Sequence, residues 1–284
     1  MINFDSDFFS PKDTLECGQI FRYKSINDGF LVLSQDKACK LSERNGKTVI
    51  ECEDEDYFKN FLDLRGDYSG VNSRATASEF DIVKNSAKVA KGVRILRQAP
   101  EETLFSFIVS QNNMIPRIKS IIERTCVALG EKKSFMGEEY YSFPKAERLA
   151  EKDAEFYKEL GYGYRAEYIS EASKAIINGE FDPASVGELP TSELKTALLT
   201  LKGVGPKVAD CVSLFGYHRT DSFPVDTWIE KIYRDDFKGE LKDRKKIAEY
   251  FLGLFGNDSG IIQQYIFHYK RNIETAAANN EKKR

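Results

Sequence analysis

Histidine is almost missing from this chain: His218 and His268 are the only two in 284 residues. A mechanism that runs on histidine acid–base chemistry has little to draw on. Cysteine is sparse too. The five, at 17, 39, 52, 126 and 211, are odd in number and widely spaced, with no CxxC pair and no Cys/His cluster. That pattern argues against a zinc site or a disulfide framework. No run is apolar enough to span a bilayer. The opening residues, MINFDSDFF, lack the basic region and apolar core of a signal peptide. The expected location is intracellular: cytoplasm or nucleoid in a bacterium or archaeon, nucleus in a eukaryote. Nor does either sign of charge dominate, since 42 basic and 45 acidic residues leave a formal net charge of −3. Any nucleic-acid contact would need local positive charge or backbone N–H donors.

What is present falls into two regions. Residues 18–53 hold short runs rich in aromatic and β-branched residues: FRYKS, FLVLSQD, ACKLS and KTVIEC. Turn signals separate them at Asp28-Gly29 and Asn45-Gly46. Asn-Gly between two such runs predicts a hairpin, because both residues tolerate positive φ. From about residue 55 the period becomes helical. ASEFDIVKNSAKVAKGV, ETLFSFIVSQ, IPRIKSIIERTCVALG, AEYISEASKAIING, TSELKTALLTL, PKVADCVSLFGY and IIQQYIFHYKRNI repeat apolar residues at helical spacing. Gly130, Gly179 and Gly216 fall where helix C-caps belong. The expected fold class is α+β: an antiparallel sheet subdomain over 1–86, then a helical domain over 87–284 with a helix-hairpin-helix at 192–218. The polar tail TAAANNEKKR is expected to fray.

Residues 194–233, LKTALLTLKGVGPKVADCVSLFGYHRTDSFPVDTWIEKIY, carry the most chemistry. A helix ends near Leu201 and Gly203-Val204-Gly205 turns tightly, with glycine where backbone comes close or takes positive φ. Pro206 opens the next helix, where its missing N–H costs nothing. Unpaired amides at that helix start suit a phosphate. On spacing alone an ordinary αα-hairpin reads equally well. Lys207 adds something. A cation in the first turn faces the helix's positive end. That placement is expected to lower its pKa from about 10.4, and an amine nucleophile must be neutral. Cys211 shares the helix face of Lys207 at i+4. Asp226, in PVDTW, opens another helix. It can be an N-cap, worth about 1 kcal/mol, and also a carboxylate facing positive charge on a sugar.

GVGPKVAD followed by PVD resembles the helix-hairpin-helix, Gly/Pro-rich, aspartate motif of the DNA glycosylase (HhH-GPD) superfamily, and lysine at 207 resembles its lyase-competent branch. GQIFRY (18–23), GVRILRQAPEETLFSFIVSQNNMIPRI (92–118), LGYGYRAEYI (160–169) and GIIQQYIFHYKR resemble stretches of the 8-oxoguanine DNA glycosylases. No single stretch carries the resemblance; their joint order does.

The resemblance implies roles position by position. Lys207 would attack the sugar C1′, releasing the base and forming a Schiff base from which β-elimination nicks the strand. Asp226 would stabilise the oxocarbenium-like state. A Cys211 thiolate and the Lys207 ammonium would form a dipole that reads the oxidised base. The Gly18 carbonyl would accept N7–H of the lesion. Guanine offers a lone pair there, and leaving both groups unpaired costs about 1–3 kcal/mol, roughly one to two decades of discrimination. Phe267 would be the stacking platform and Gln263 the amide on the base's Watson–Crick edge. Asn112 would fill the gap left by the flipped base, Tyr164 would prop the neighbouring stack, and Arg117 and Arg165 would contact the orphaned cytosine. Gly203, Gly205 and Trp228 would meet the DNA backbone. The implied partner is double-stranded DNA containing 8-oxoguanine, bound by a monomer with no membrane. Side chains imply no metal. The family's hairpin carbonyls often hold a monovalent cation, a site that side-chain spacing does not reveal.

Three positions depart from the family pattern: Trp228 replaces a histidine, Met114 a third asparagine, and Pro206 a threonine. No four-cysteine cluster follows residue 226, which sets the chain apart from the iron–sulfur glycosylases. Two other readings stand beside this one. An alkylated-base glycosylase activates water and needs no lysine. A non-catalytic module would use the hairpin for backbone contacts alone, leaving Lys207 and Asp226 without purpose.

Overall fold

The computed structural model describes residues 1–4, 7–44 and 46–281, with side chains through residue 273. The chain begins with strand β1 (Ile2–Phe4), helix α1 (Pro11–Glu16), and strands β2 (Tyr23–Ile26), β3 (Gly29–Ser34), β4 (Lys37–Arg44) and β5 (Lys47–Cys52). The strands form one antiparallel sheet in the order β1-β5-β4-β3-β2. Ile26 pairs with Gly29 and Ser34 with Lys37, so two-residue turns join the middle strands. The first turn is Asn27-Asp28, one residue earlier than the sequence predicts. Gly29 belongs to the strand, where an added Cβ would fall 1.9 Å from the Leu41 carbonyl oxygen. Arg44 pairs with Lys47 across the predicted Asn45-Gly46 turn, of which Asn45 lies outside the described residues.

Alternation along the strands covers both faces. Val32, Cys39, Leu41 and Ile50 pack with Leu15, Phe58 and Phe61. Leu31, Leu33 and Ala38 point the other way, onto Phe135 and Tyr140. Those two residues lie on a hairpin of β6 (Lys132–Phe135) and β7 (Glu138–Tyr141) that the sequence reading misses. Its run KKSFMGEEYY is too polar to announce strands. Met136 and Gly137, both at positive φ (51° and 84°), make the reversal.

Helices build the rest: α2 (Glu55–Phe61), α3 (Tyr68–Thr76), α4 (Asp81–Val89), α5 (Pro100–Ser110) and α6 (Ile115–Leu129) before the β6–β7 hairpin, then α7 (Ala146–Ala150), α8 (Ala154–Glu159), α9 (Arg165–Ile177), α10 (Pro183–Gly187), α11 (Thr191–Leu198), α12 (Pro206–Gly216), α13 (Thr227–Asp235), α14 (Arg244–Phe255) and α15 (Ser259–Glu281). α15 stays helical through most of the tail expected to fray, and residues 282–284 lie outside the described residues. α5 is the central element, with residues 102–109 all buried. α12 crosses it at Gly216, where an added Cβ would lie 3.2 Å from Thr103 Cβ. Gly216 is therefore a packing glycine inside α12, and Tyr217 is the C-cap. Gly130 does cap α6, and Gly179 follows α9 at φ 75°.

Buried polar groups lock the sheet to the helices. Gln19 Nε2 donates to the Arg94 carbonyl at 2.7 Å, and its Oε1 accepts from Leu96 N at 2.8 Å. Arg22 and Glu102 form a buried ion pair at 3.3 Å. The Gln19 bonds anchor the residue directly after Gly18. No helix among the described residues is long and apolar enough to cross a membrane.

Candidate active site

The hairpin forms where the glycines predict it. α11 ends at Leu198, three residues before Leu201, because Thr200 and Leu201 bond back to Ala197 and Leu198 at 3.1 and 3.2 Å in a tighter turn. Gly203 takes φ 85° and lies directly under the Tyr168 ring, so only glycine fits. Gly205 is the N-cap of α12 at φ −93°, and nothing stands within 4 Å of where its Cβ would be. Pro206 occupies the first turn.

Lys207 follows at the helix mouth, half-buried. Its Nζ lies 5.1 Å from the centroid of the Phe107 ring, which stacks in turn on Phe215 at 5.4 Å. An aromatic face beneath an amine is a dry floor that also attracts its charged form. Cys211, one turn on, is 3% exposed. Burial pushes its thiol up to about 11, against the opposing pull of Lys207, while the Asp226 carboxylate also raises it. Burial thus favours the neutral thiol of Cys211, while Lys207 pulls toward the thiolate that the family resemblance implies. The same interactions place Lys207 and Asp226 within electrostatic reach of one sulfur. Asp226 caps α13: its Oδ1 accepts from Trp228 N and Ile229 N, both at 3.0 Å. Trp228 accordingly sits half-buried in the first turn of that helix. Asp210, on the same helix as Lys207, is ion-paired with Lys195 at 2.8 Å. Burial holds its carboxyl above the usual range despite that partner.

A second cluster gathers the residues expected to read the base. Gly18, at φ 91°, faces α15: a Cβ there would lie 3.7 Å from Phe267 Cε1 and 3.4 Å from Arg271 Nη1. The turn before β2 and helix α15 thus meet, 249 residues apart in sequence by the difference of their numbers, 267 − 18. Gln263 is 4% exposed. Its Nε2 donates to the Pro224 carbonyl at 3.3 Å, and its Oε1 accepts from Gln264 at 2.6 Å. The amide is therefore engaged in the free protein, tying α15 to the segment that carries Asp226.

The third cluster is the loop after α5. Asn112 is exposed at φ 46°, a left-handed conformation that asparagine tolerates. Tyr164 is 54% exposed, with the Arg165 guanidinium 4.4 Å from its ring centroid. Arg165 is not the solvated charge that its sequence suggests. It is 5% exposed and donates to the carbonyls of Gln111, Asn112 and Tyr162. Arg117 is exposed and donates to the Gly161 carbonyl at 3.3 Å. Gln111, which the sequence reading passes over, organises the loop. Its carbonyl accepts from Arg165, and its Nε2 donates to the Gly203 carbonyl at 2.8 Å. Its only sequence signal is its place at a helix end. Arg271 is likewise missed, since a lone arginine on a C-terminal helix reads as solvated charge.

Among the described residues no three His, Cys, Asp or Glu side chains gather to hold a metal ion. All five cysteines are free thiols. A surface cavity of about 400 Å³ beside the β6–β7 hairpin is lined by Lys24, Leu31, Lys40 and Phe135, and by none of the residues above.

Residues 1–104 match the 8-oxoguanine DNA glycosylase N-terminal domain, and residues 105–256 match the HhH-GPD superfamily of base excision DNA repair proteins. An N-glycosylase/DNA lyase of Saccharomyces cerevisiae is 36% identical over 160 residues, 52% of this chain and 43% of that protein. One from Arabidopsis thaliana is 33% identical over 195 residues, 64% of this chain and 53% of that protein. The chain thus spans about half the length of these relatives. A crystal structure of Clostridium acetobutylicum 8-oxoguanine glycosylase/lyase, in complex with double-stranded DNA containing cytosine opposite 8-oxoguanine, is 34% identical and superposes with a TM-score of 0.89, covering 94% of this chain and 93% of that one. The chain belongs to the HhH-GPD superfamily of base excision DNA repair proteins, with an 8-oxoguanine DNA glycosylase N-terminal domain ahead of the hairpin-bearing region.

Proposed function

We propose that this protein removes 8-oxoguanine paired with cytosine from double-stranded DNA and then cleaves the strand at the resulting site. One observation carries the reading: Lys207 at the mouth of α12, above Phe107, with Cys211 one turn on and Asp226 within electrostatic reach of that sulfur. An alkylated-base enzyme that activates water has no use for that amine.

The chemistry then follows. The amine of Lys207 forms a bond to C1′ through its lone pair as the bond from C1′ to the base breaks. The base leaves with the electron pair and takes up a proton, while the attacking nitrogen gives one up. Ring opening yields the Schiff base. Loss of a C2′ proton then expels the 3′ phosphate. Asp226, fixed by its two amide bonds, supplies negative charge where the sugar becomes cationic. The hairpin would grip a phosphate through the amides at the start of α12, with Gly205 leaving the approach clear. A monovalent cation fits the same turn. Residues 199–205 contain no Asp, Glu, His or Cys, so carbonyls alone would hold it. Those of Leu201 and Gly203 already accept one hydrogen bond each, but a carbonyl has a second lone pair. Such an ion would add positive charge beside the phosphate. Asn112 and Tyr164 stand exposed on the rim to fill and prop the opened duplex. Arg117, exposed, would face the cytosine, and Arg165 would join it only by giving up carbonyls that it holds here.

Borohydride trapping tests this. The protein is mixed with duplex containing 8-oxoguanine opposite cytosine and then reduced. A covalent adduct is expected, and it should vanish in Lys207→Gln. Base release without an adduct would instead identify an alkylated-base type of chemistry, and intact shifted DNA a binding module.

A further inference from the structure

Arg271 lies one turn beyond Phe267 on α15 and touches both parts of the base-reading cluster. Its guanidinium carbon is 5.6 Å from the Phe267 ring centroid. Its Nη2 donates to the Glu16 carbonyl, at the end of α1 and two residues before Gly18. Its Nη1 packs on Gly18, 3.4 Å from where a Cβ would stand. A guanidinium suits this double task, because its face stacks on an aromatic ring while its N–H groups donate in plane. The charge also reaches the surrounding wall, opposing the burial that pushes the Cys17 thiol up to about 11 and the Tyr23 phenol up to about 12.

Gly18 is thereby held from both sides. On the far side Gln19 is bonded to residues 94 and 96 of the helical region. On the near side Arg271 ties Glu16 to the helix that carries Phe267, and His268 of that helix meets Asp13 of α1 at 3.3 Å, farther from Gly18. Of these ties the Arg271 contact stands nearest Gly18, so the distance from the Gly18 carbonyl to a base lying on Phe267 depends most directly on it. A hydrogen bond is sensitive to that distance, since N–H···O contacts work between about 2.7 and 3.2 Å.

We propose that Arg271 is a positioning residue that sets the spacing between Gly18 and Phe267, and so determines how well the enzyme recognises the oxidised base. The proposal rests on the 8-oxoguanine reading above. It concerns recognition and leaves the Lys207 chemistry to act on any sugar that reaches it.

Two substrates separate the roles: duplex with 8-oxoguanine opposite cytosine, and the same duplex with a preformed abasic site, which offers no base to read. Single-turnover rates are measured on both for the parent, Arg271→Met and Arg271→Lys, together with melting temperatures. Arg271→Met should lose about tenfold more activity on 8-oxoguanine than on the abasic site, the lower end of what one discriminating hydrogen bond is worth. Arg271→Lys keeps a charge and a donor and should recover most of the difference. Equal losses on both substrates would overturn the proposal by showing a purely structural residue. Unchanged 8-oxoguanine excision in Arg271→Met would overturn it as well. Failure of the underlying functional reading is distinguishable, because the parent protein would then give no borohydride adduct with the 8-oxoguanine duplex.

Discussion

A methyl group added at Gly205 probes whether the hairpin mouth receives a phosphate. The perturbation is clean. Gly205 has φ −93°, which any residue adopts, and open space where its Cβ would go. As an N-cap alanine is poorer than glycine by about 0.5 kcal/mol, and the stiffer unfolded chain returns about 0.4–1 kcal/mol. The two nearly cancel, so the melting temperature should stay within about 2 °C of the parent. DNA affinity should not survive so well. The added carbon occupies the approach to the amides that start α12, and losing one hydrogen bond to a charged group costs about 1.5–3 kcal/mol, or roughly 10- to 100-fold. Gly203→Ala is the contrasting variant. There φ is 85° and the new Cβ would fall 2.2 Å from Tyr168 Cγ. The left-handed backbone costs about 1–2 kcal/mol, and displacing the ring adds a similar amount. A total near 3 kcal/mol lowers the melting temperature by about 6–12 °C. Scanning calorimetry and fluorescence anisotropy with an 8-oxoguanine duplex at fixed salt measure both quantities. Gly205→Ala binding within twofold of the parent would refute the phosphate site.

Two further outcomes follow from the same geometry. Asp226→Asn keeps an equally good helix cap, so melting and DNA binding should hold while excision falls on the order of 100-fold; parallel loss of all three would reduce Asp226 to a cap. The buried Cys211 thiol, raised from about 9 to about 11, stays protonated in the fold at pH values where the unfolded chain has released that proton. Its contribution is fully present below about pH 9 and is lost as pH rises through about 11. Cys211→Ser should flatten the fall in stability across that window by about 2 kcal/mol, read from urea melts at several pH values; an unchanged slope would show that the thiol titrates normally.

Local chemistry decided what could be read from the residues alone. The Gly203–Gly205 turn, the Pro206 helix start and the Asp226 cap each rest on one or two neighbouring residues, and all three appear in the fold. Lys207 and Cys211 share a helix, so their pairing was legible by spacing. The errors concern partners supplied from a distance. Arg165 looks like any exposed arginine until three backbone carbonyls close around it. Gly216 looks like a helix stop until α5 crosses it. The β6–β7 strands are too polar to announce themselves, and they form because the apolar underside of the sheet needs covering. The ionisation of Cys211 was illegible for the same reason: its helix position gives the lysine, while burial among distant elements sets the sign of the result.

The bond from Gln111 to the Gly203 carbonyl makes the strand-gripping turn and the Asn112 loop parts of one jig. On the proposed reading the protein works as a ruler of fixed gauge. Where the grip closes on the sugar–phosphate chain also decides which nucleotide the loop can displace, so a mis-set grip would present the wrong residue to Lys207 rather than none.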